Sequence, residues 1–286
     1  MSAAQKMVEG IQQLTALPAV YHRVRQVLDD PDSSISDLAK VVAADAALTV
    51  RLLHVVNSVY FGLMSRVDTV TRAVSMLGMQ QVHDIVLATS VATMFKGMSP
   101  ASMNMTRFWS NSVMRALIAR TAADMARAGD TERYFVAGLL ADIGHLAMYQ
   151  VKPELAEQAQ RDAIQNGTPL DVAERALMDC DYAEVGAALA QRWQLPARLA
   201  EAIGAQIRPT TAQIEGAKRD AAILNLARVV VDGMEAKMET EAILGLIDDE
   251  TWPLSGLKPV DLAPVRTIAE MNHSEVVTLF FPNLAH

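Results

Sequence analysis

The sequence predicts an all-α protein of two helical lobes, an N-terminal helical bundle followed by a second helical lobe. Three observations predict it. Apolar residues recur at the helical period through nearly every segment. The breaks between segments carry helix caps, prolines and glycines. No convincing alternating run lies between turn signals, so no strand is expected.

The elements follow in order. Val20, Val24, Val27 and Leu28 fall at i, i+4, i+7 and i+8, one stripe of a helix. Pro18 suits its first turn, and Asp30-Pro31 ends it. Ser34 can cap the helix of Leu38, Val41 and Val42, and Asp45 the helix of Leu48, Leu52, Leu53 and Val56. Gly78 breaks Val70–Leu77 from Met79–Met94, as a left-handed C-terminal cap would. The small, polar stretch Lys96–Asn104, "KGMSPASMN", reads as the boundary between lobes. In Thr168-Pro169-Leu170-Asp171, threonine caps and proline takes the first helical position. Asp181 to Glu184 is a capping-box variant opening a helix that runs to Trp193, and Leu195-Pro196 opens the next. A weaker boundary lies at Ile207-Arg208-Pro209. Beyond it, Ile214, Leu224, Leu226, Val229 and Val230 supply an apolar stripe for further helices packed on the second lobe. The expected divisions are 8–98, 99–209 and 210–286.

Composition narrows the function. The chain has 286 residues, 51% of them hydrophobic, enough for a sizeable core and against disorder over most of its length. A net charge of −8 argues against a dominant nucleic-acid footprint, which needs a basic face. The single cysteine, Cys180, excludes an internal disulfide and fits a reducing compartment. "MSAAQKMVEGIQQL" has no secretory pattern, and the longest uncharged apolar run, Ile85 to Phe95, is too short to span a bilayer. The expectation is a soluble, cytoplasmic protein that binds neither nucleic acid nor membrane.

The stretch Gly138–His145, "GLLADIGH", raises the functional question. Together with Leu17-Pro18-Ala19-Val20, Asp29–Gly62 (including Asp45 through Leu48 and Asn57-Ser58) and Thr69–Ala88 with its Leu77-Gly78 step, it resembles the HDOD domain. "FWSNSVMRALIA", "YFVAGLLADIGHLAMY" and "DYAEVGAALAQRWQLPARLAEAI" continue the match, which covers roughly Val8 to Pro209. That domain is a helical signalling module related to the HD and HD-GYP metal phosphohydrolases. The resemblance implies that the second lobe is HD-like; it does not by itself imply catalysis.

In an HD-type site a histidine, an adjacent His-Asp pair and a later aspartate converge on a divalent metal, which activates bound water and polarises a phosphoryl oxygen. The resemblance carries the first histidine onto Asn111, a poor substitute for imidazole, and the pair onto Ala141-Asp142, where a methyl group cannot coordinate. A further histidine falls on Tyr182, paired histidines on Gln206-Ile207, and the closing aspartate on Arg228, whose guanidinium has no lone pair to give. Of the expected set only Asp142 remains. It is expected as a buried acid bonded to backbone amides or to a basic group. His145, one turn on, could meet Asp142 across i, i+3 and lock the old pocket.

His83-Asp84 is a literal His-Asp pair, but beside Gln80 and Gln81 it reads as a solvated face of the first lobe. None of the six histidines forms an i, i+3 or i, i+4 metal-binding pair. Asn57 and Ser58 read as caps that tie down Val59–Gly62, with recognition of a peptide or ligand between lobes as the alternative. The functional expectation is a non-catalytic bacterial signalling module without metal or cofactor. It would act through a protein partner, a small polar or anionic ligand, or self-association. In the ligand version Asn111, Tyr182 and Gln206 would wall the pocket and Arg228 would meet an anion. The competing expectation is a nucleotide or cyclic-dinucleotide phosphodiesterase with unusual ligands.

Overall fold

The computed structural model of the chain describes residues 1–11, 17–61, 65–94 and 103–282, and among these every regular element is helical. In chain order the α-helices are α1 (Ala3–Glu9), α2 (Ala19–Asp29), α3 (Ile35–Ala43), α4 (Ala46–Val56), α5 (Val70–Leu77) and α6 (Met79–Met94). There follow α7 (Met105–Met125), α8 (Thr131–Leu140), α9 (Ile143–Val151), α10 (Pro153–Asn166), α11 (Leu170–Met178) and α12 (Tyr182–Arg192). The last are α13 (Ala197–Ala205), α14 (Ala217–Glu235), α15 (Thr240–Leu244), α16 (Thr251–Ser255) and α17 (Leu262–Phe280). Short 3₁₀ turns lie at Val59–Phe61, Pro209–Thr211 and Pro259–Asp261. None of the described helices is long and apolar enough to cross a membrane.

The chain separates into two compact units, residues 16–97 with 272–286, and residues 1–15 with 98–271. This differs from division at 98 and 209. Helix α1 belongs to the larger unit because Met7 and Val8 are buried where α1 packs on α12 and α9, and Arg192 Nη1 donates to the Val8 carbonyl at 3.0 Å. Residues 210–271 join the same unit through α14, which packs on α7, α8 and α13. Leu224, Leu226, Val229 and Val230 are buried there, whereas Ile214 precedes α14 and is exposed. Of the boundary Lys96–Asn104, residues 96–102 lie outside the described residues, and Asn104 caps α7.

In the smaller unit the caps take up amide donors that a helix leaves orphaned. Ser34 and Asp37 form a reciprocal capping box, and the Asp45 carboxylate accepts from the Leu48 amide at 2.9 Å. Pro18 stands one residue before its helix, in extended conformation, rather than within the first turn; Pro169 and Pro196 do the same for α11 and α13, and Thr168 caps nothing. Gly78 has φ +88° and ψ 161°, a positive-φ extended conformation rather than a left-handed helical one. Glycine takes it readily because it has no Cβ.

Asn57 reaches beyond the segment that follows it. Its amide nitrogen donates to the carbonyls of Leu53 and Val67, and its oxygen accepts from the Val67 amide, all at 2.7 Å. Ser58 Oγ turns back to the Val55 carbonyl at 2.7 Å. The expected solvated face at His83-Asp84 is corrected: both residues are buried, because α6 is enclosed on nearly all sides from Val82 to Ala92. Both His83 ring nitrogens and Asp84 Oδ1 are met internally, whereas Asp84 Oδ2 has no hydrogen-bond partner among the described residues. His83 Nδ1 lies 2.8 Å from Asp84 Oδ1, and His83 Nε2 lies 3.3 Å from the Tyr21 hydroxyl.

In the larger unit, two glycines set the helix approaches that position the site. A Cβ on Gly138 of α8 would lie 2.7 Å from the Ala116 Cα of α7. A Cβ on Gly144 of α9 would lie 1.9 Å from the Tyr182 carbonyl oxygen at the start of α12. Only hydrogen fits at these crossings, so "GLLADIGH" is pressed between α7 and α12.

Candidate functional site

Asp142 occupies the bend between α8 and α9, and Arg115 reaches it from α7, one turn beyond Asn111. Arg115 Nη1 lies 2.5 Å from Asp142 Oδ1, and Nη2 lies 2.9 Å from Oδ1 of Asp232 on α14. The guanidinium therefore bridges two carboxylates from different elements. Burial alone would favour its neutral form, but Asp142 and Asp232 outweigh burial and raise its pKa further above the ordinary arginine value. Arg228, one turn before Asp232, holds the other oxygen of that carboxylate at 3.5 Å.

Toward the start of α7, Asn111 Nδ2 donates to Glu235 Oε1 at 2.6 Å and Arg107 Nε donates to the same oxygen at 2.5 Å. Burial pushes the Glu235 carboxyl up, but these two hydrogen bonds prevail and hold it below its usual value. Residues 107, 111 and 115 on α7 thus meet 235 and 232 on α14 as successive rungs of a polar ladder.

Close to both Arg115 and Asp142, the Tyr182 ring stacks on His145 with centroids 4.0 Å apart and planes 16° apart. Burial raises the Tyr182 pKa well above the ordinary phenol value, with Arg115 opposing, so it stays a neutral phenol. His145 does not lock onto the Asp142 carboxylate. That group is taken by Arg115, and His145 Nδ1 instead lies 3.0 Å from Glu174 Oε1. The i, i+3 contact that exists is backbone, from the His145 amide to the Asp142 carbonyl. The second Glu174 oxygen accepts from the Tyr182 amide at 2.9 Å.

Gln206 is fully buried and donates to the Ala141 carbonyl at 2.7 Å and to Ile203 at 3.0 Å, while its Oε1 meets no hydrogen-bond partner among the described residues. Behind it, Asn225 donates to the Gln206 carbonyl at 2.8 Å. Thus Asp142, His145, Tyr182, Gln206 and Arg228, with the Ala141 carbonyl, are joined into one region by named bonds. The Asn111–Glu235 pair lies one turn away on α7 and α14. Asp45, Asn57 and Ser58 lie in the smaller unit and hold local backbone.

This donor set does not fit a divalent metal. The Ala141 methyl offers no lone pair, the Tyr182 phenol is held protonated, the Asn111 amide is engaged with Glu235, and Arg115 and Arg228 bring positive charge to the surviving carboxylates. Among the described residues no group of three or more His, Cys, Asp or Glu could hold a metal ion.

An all-helical unit that gathers these positions from α7, the α8–α9 bend, α12 and α14 has the architecture of an HD-type domain. The match can be made narrower: the HDOD domain model covers residues 14–209, and the chain belongs to that family. An uncharacterised protein of Treponema pallidum (strain Nichols) is 24% identical over 197 residues, 68% of this chain. The matched region spans only 37% of that relative's length. Among solved structures, a Shewanella amazonensis SB2B protein provisionally named a phosphohydrolase is 25% identical, with 100% of this chain and 99% of that one covered and a TM-score of 0.75. An HDOD domain protein of unknown function from Geobacter sulfurreducens shares the fold at 21% identity, TM-score 0.79, covering 98% and 97% of the two chains. A protein from Marinobacter aquaeolei VT8, provisionally named for signal transduction, shares it at 22% identity and TM-score 0.63, over 90% of this chain and 58% of that one.

Sequence reasoning missed Arg115, Asp232, Glu235 and Glu174. Two of them carried a faint signal: Arg115 follows Asn111, and Asp232 follows Arg228, by one helical turn on the same stripe. Glu174 and Glu235 carried none, because what selects them is contact between distant helices.

Proposed function

We propose that this chain is a non-catalytic HDOD signalling module in which an internal guanidinium takes the part of the HD metal. The observation that carries this reading is the Arg115 bridge between Asp142 and Asp232. A fixed cation already balances the carboxylate that the family would present to a metal, and a second cation, Arg228, stands behind it. A divalent ion would have to displace buried, hydrogen-bonded charge, and the imidazole of the region, His145, is already paired with Glu174. The module then acts through its shape, by engaging a protein partner in a bacterial signalling pathway in the cytoplasm or a second copy of itself. The small-ligand version is less favoured, because the Asn111 and Gln206 amide nitrogens donate to Glu235 and to the Ala141 carbonyl and the Tyr182 ring is stacked on His145, although Gln206 Oε1 has no partner among the described residues. The provisional name of the Shewanella structure supports the competing reading, a metal-dependent phosphohydrolase; the donor set weighs against it.

The test is metal stoichiometry by elemental analysis, on protein purified without chelator and after loading with Mn²⁺, Fe²⁺ or Zn²⁺. Occupancy near zero is expected for each. Near-stoichiometric metal that Asp142→Ala abolishes would overturn the proposal and direct attention to phosphodiester substrates.

A further inference from the structure

Beside Arg115 and Asp142 lies a titratable cluster, His145 with Glu174, to which the non-catalytic module gives no task. Glu174 of α11 is buried, and its two oxygens serve different elements, His145 of α9 and the first amide of α12. Helices α9 and α12 are themselves in backbone contact at Gly144, with no slack. Arg175 of α11 also pairs with Asp181 and Glu184 at the start of α12, at 2.7 and 3.1 Å, but is itself half-exposed. Glu174 is therefore the buried polar tie between α11 and this rigid pair. We propose that this pocket is a proton-responsive latch, in which the charge on His145 holds α11 through Glu174 and its loss loosens α11. The proposal rests on the reading of the site as non-catalytic.

The charged surroundings support this assignment. Glu174 faces the imidazole from α11, the Tyr182 ring covers it from α12, Asp142 lies at the start of its own helix, and Arg115 acts from α7. On the other helices packed against α9, α10 carries Glu157 and Arg161, which act on Tyr149, and α1 carries the exposed Lys6 and Glu9. Burial by itself would lower the His145 pKa; Glu174, by charge and hydrogen bond, and Asp142 outweigh burial and the opposing Arg115, so it is raised above the ordinary value. A raised histidine pKa means that the folded state holds the proton more tightly than the unfolded chain. Its contribution is complete below an ordinary pKa of about 6.5 and is lost as pH rises through the elevated folded value.

The single thiol supplies a reporter. Cys180 is 1% exposed and lies between the end of α11 and the start of α12. Burial, followed by Glu184, Asp181 and Glu174, pushes it up to about 11, so labelling speeds up with pH in any variant. The quantity to read is the ratio of Cys180 alkylation rates in His145→Gln and in the native chain, which cancels that dependence. Below about pH 6.5 the native protein should label more slowly, by about tenfold for each unit by which the His145 pKa is raised, and the ratio should fall toward one in alkali. A ratio that does not change with pH would overturn the latch. Should His145→Gln fail to fold, NMR titration of His145 in the native chain decides: a midpoint above the ordinary value is expected, and one at or below it overturns the proposal. Stoichiometric metal in the same preparation would overturn the non-catalytic reading, whereas a constant ratio in metal-free protein would overturn only the latch.

Discussion

Arg115 Nη1 lies 2.5 Å from Asp142 Oδ1, with both side chains about nine-tenths buried. The pair therefore makes large demands when one member is removed. Arg115→Leu leaves Asp142 buried without its cation, and a loss of about 3–5 kcal/mol is expected in urea denaturation. The double variant Arg115→Leu, Asp142→Leu removes both charges from the interior, although Asp232 keeps solvent and Arg228. It should be clearly more stable than Arg115→Leu alone. A double variant as unstable as the single would mean that packing, not charge compensation, makes Arg115 necessary.

Restoring one family ligand should not restore chemistry. Ala141→His places an imidazole beside Asp142, but Arg115 and Arg228 still hold the carboxylates. Hydrolysis of a chromogenic phosphodiester with Mn²⁺ is expected to stay at background. Metal-dependent turnover by this variant would contradict the account of Arg115.

At Gly144 a methyl group would stand 1.9 Å from the Tyr182 carbonyl oxygen, which belongs to backbone and cannot rotate away. Gly144→Ala should cost about 3 kcal/mol or more, the upper end for overpacking, measured as a fall in the denaturation midpoint. Gly186→Ala is the control. Its methyl would meet the Ile203 Cγ2 methyl at 3.0 Å, a side-chain contact and much less close than the 1.9 Å backbone approach at Gly144, so the loss should be smaller.

In the smaller unit, Tyr21→Phe removes the hydroxyl that lies 3.3 Å from His83 Nε2 and leaves that nitrogen buried without it. A loss of about 1–3 kcal/mol is expected. Burial raises the Tyr21 pKa to about 12, with Arg25 opposing, so the hydroxyl keeps its proton across the neutral range and Tyr21→Phe removes a neutral hydroxyl there.

Global stability should carry the His145 proton as well. Because that pKa is raised, the difference in unfolding free energy between the native chain and His145→Gln should be largest below about pH 6.5 and shrink as pH rises. Urea curves for both proteins across this range check the sign. A difference that grows toward alkali would show that folding depresses the pKa instead.

The sequence by itself determined the helices, because their signals are local. Caps at Ser34, Asp45 and Asp181 and the break at Gly78 each act within about one helical turn, where spacing along the chain equals proximity in space. The ordered HDOD pattern likewise placed Asn111, Asp142, Tyr182 and Arg228 in one region and exposed their unsuitability for metal. Tertiary structure alone decided what replaced the metal and where His145 turned. Arg115 meets Asp232 across 117 positions of chain, and Glu174 reaches His145 from another helix. The same limit explains why His83-Asp84 read as solvated and why the first lobe was begun at Val8, within α1. Burial and long-range pairing depend on which helix faces are brought together, and no period along one helix encodes its neighbour.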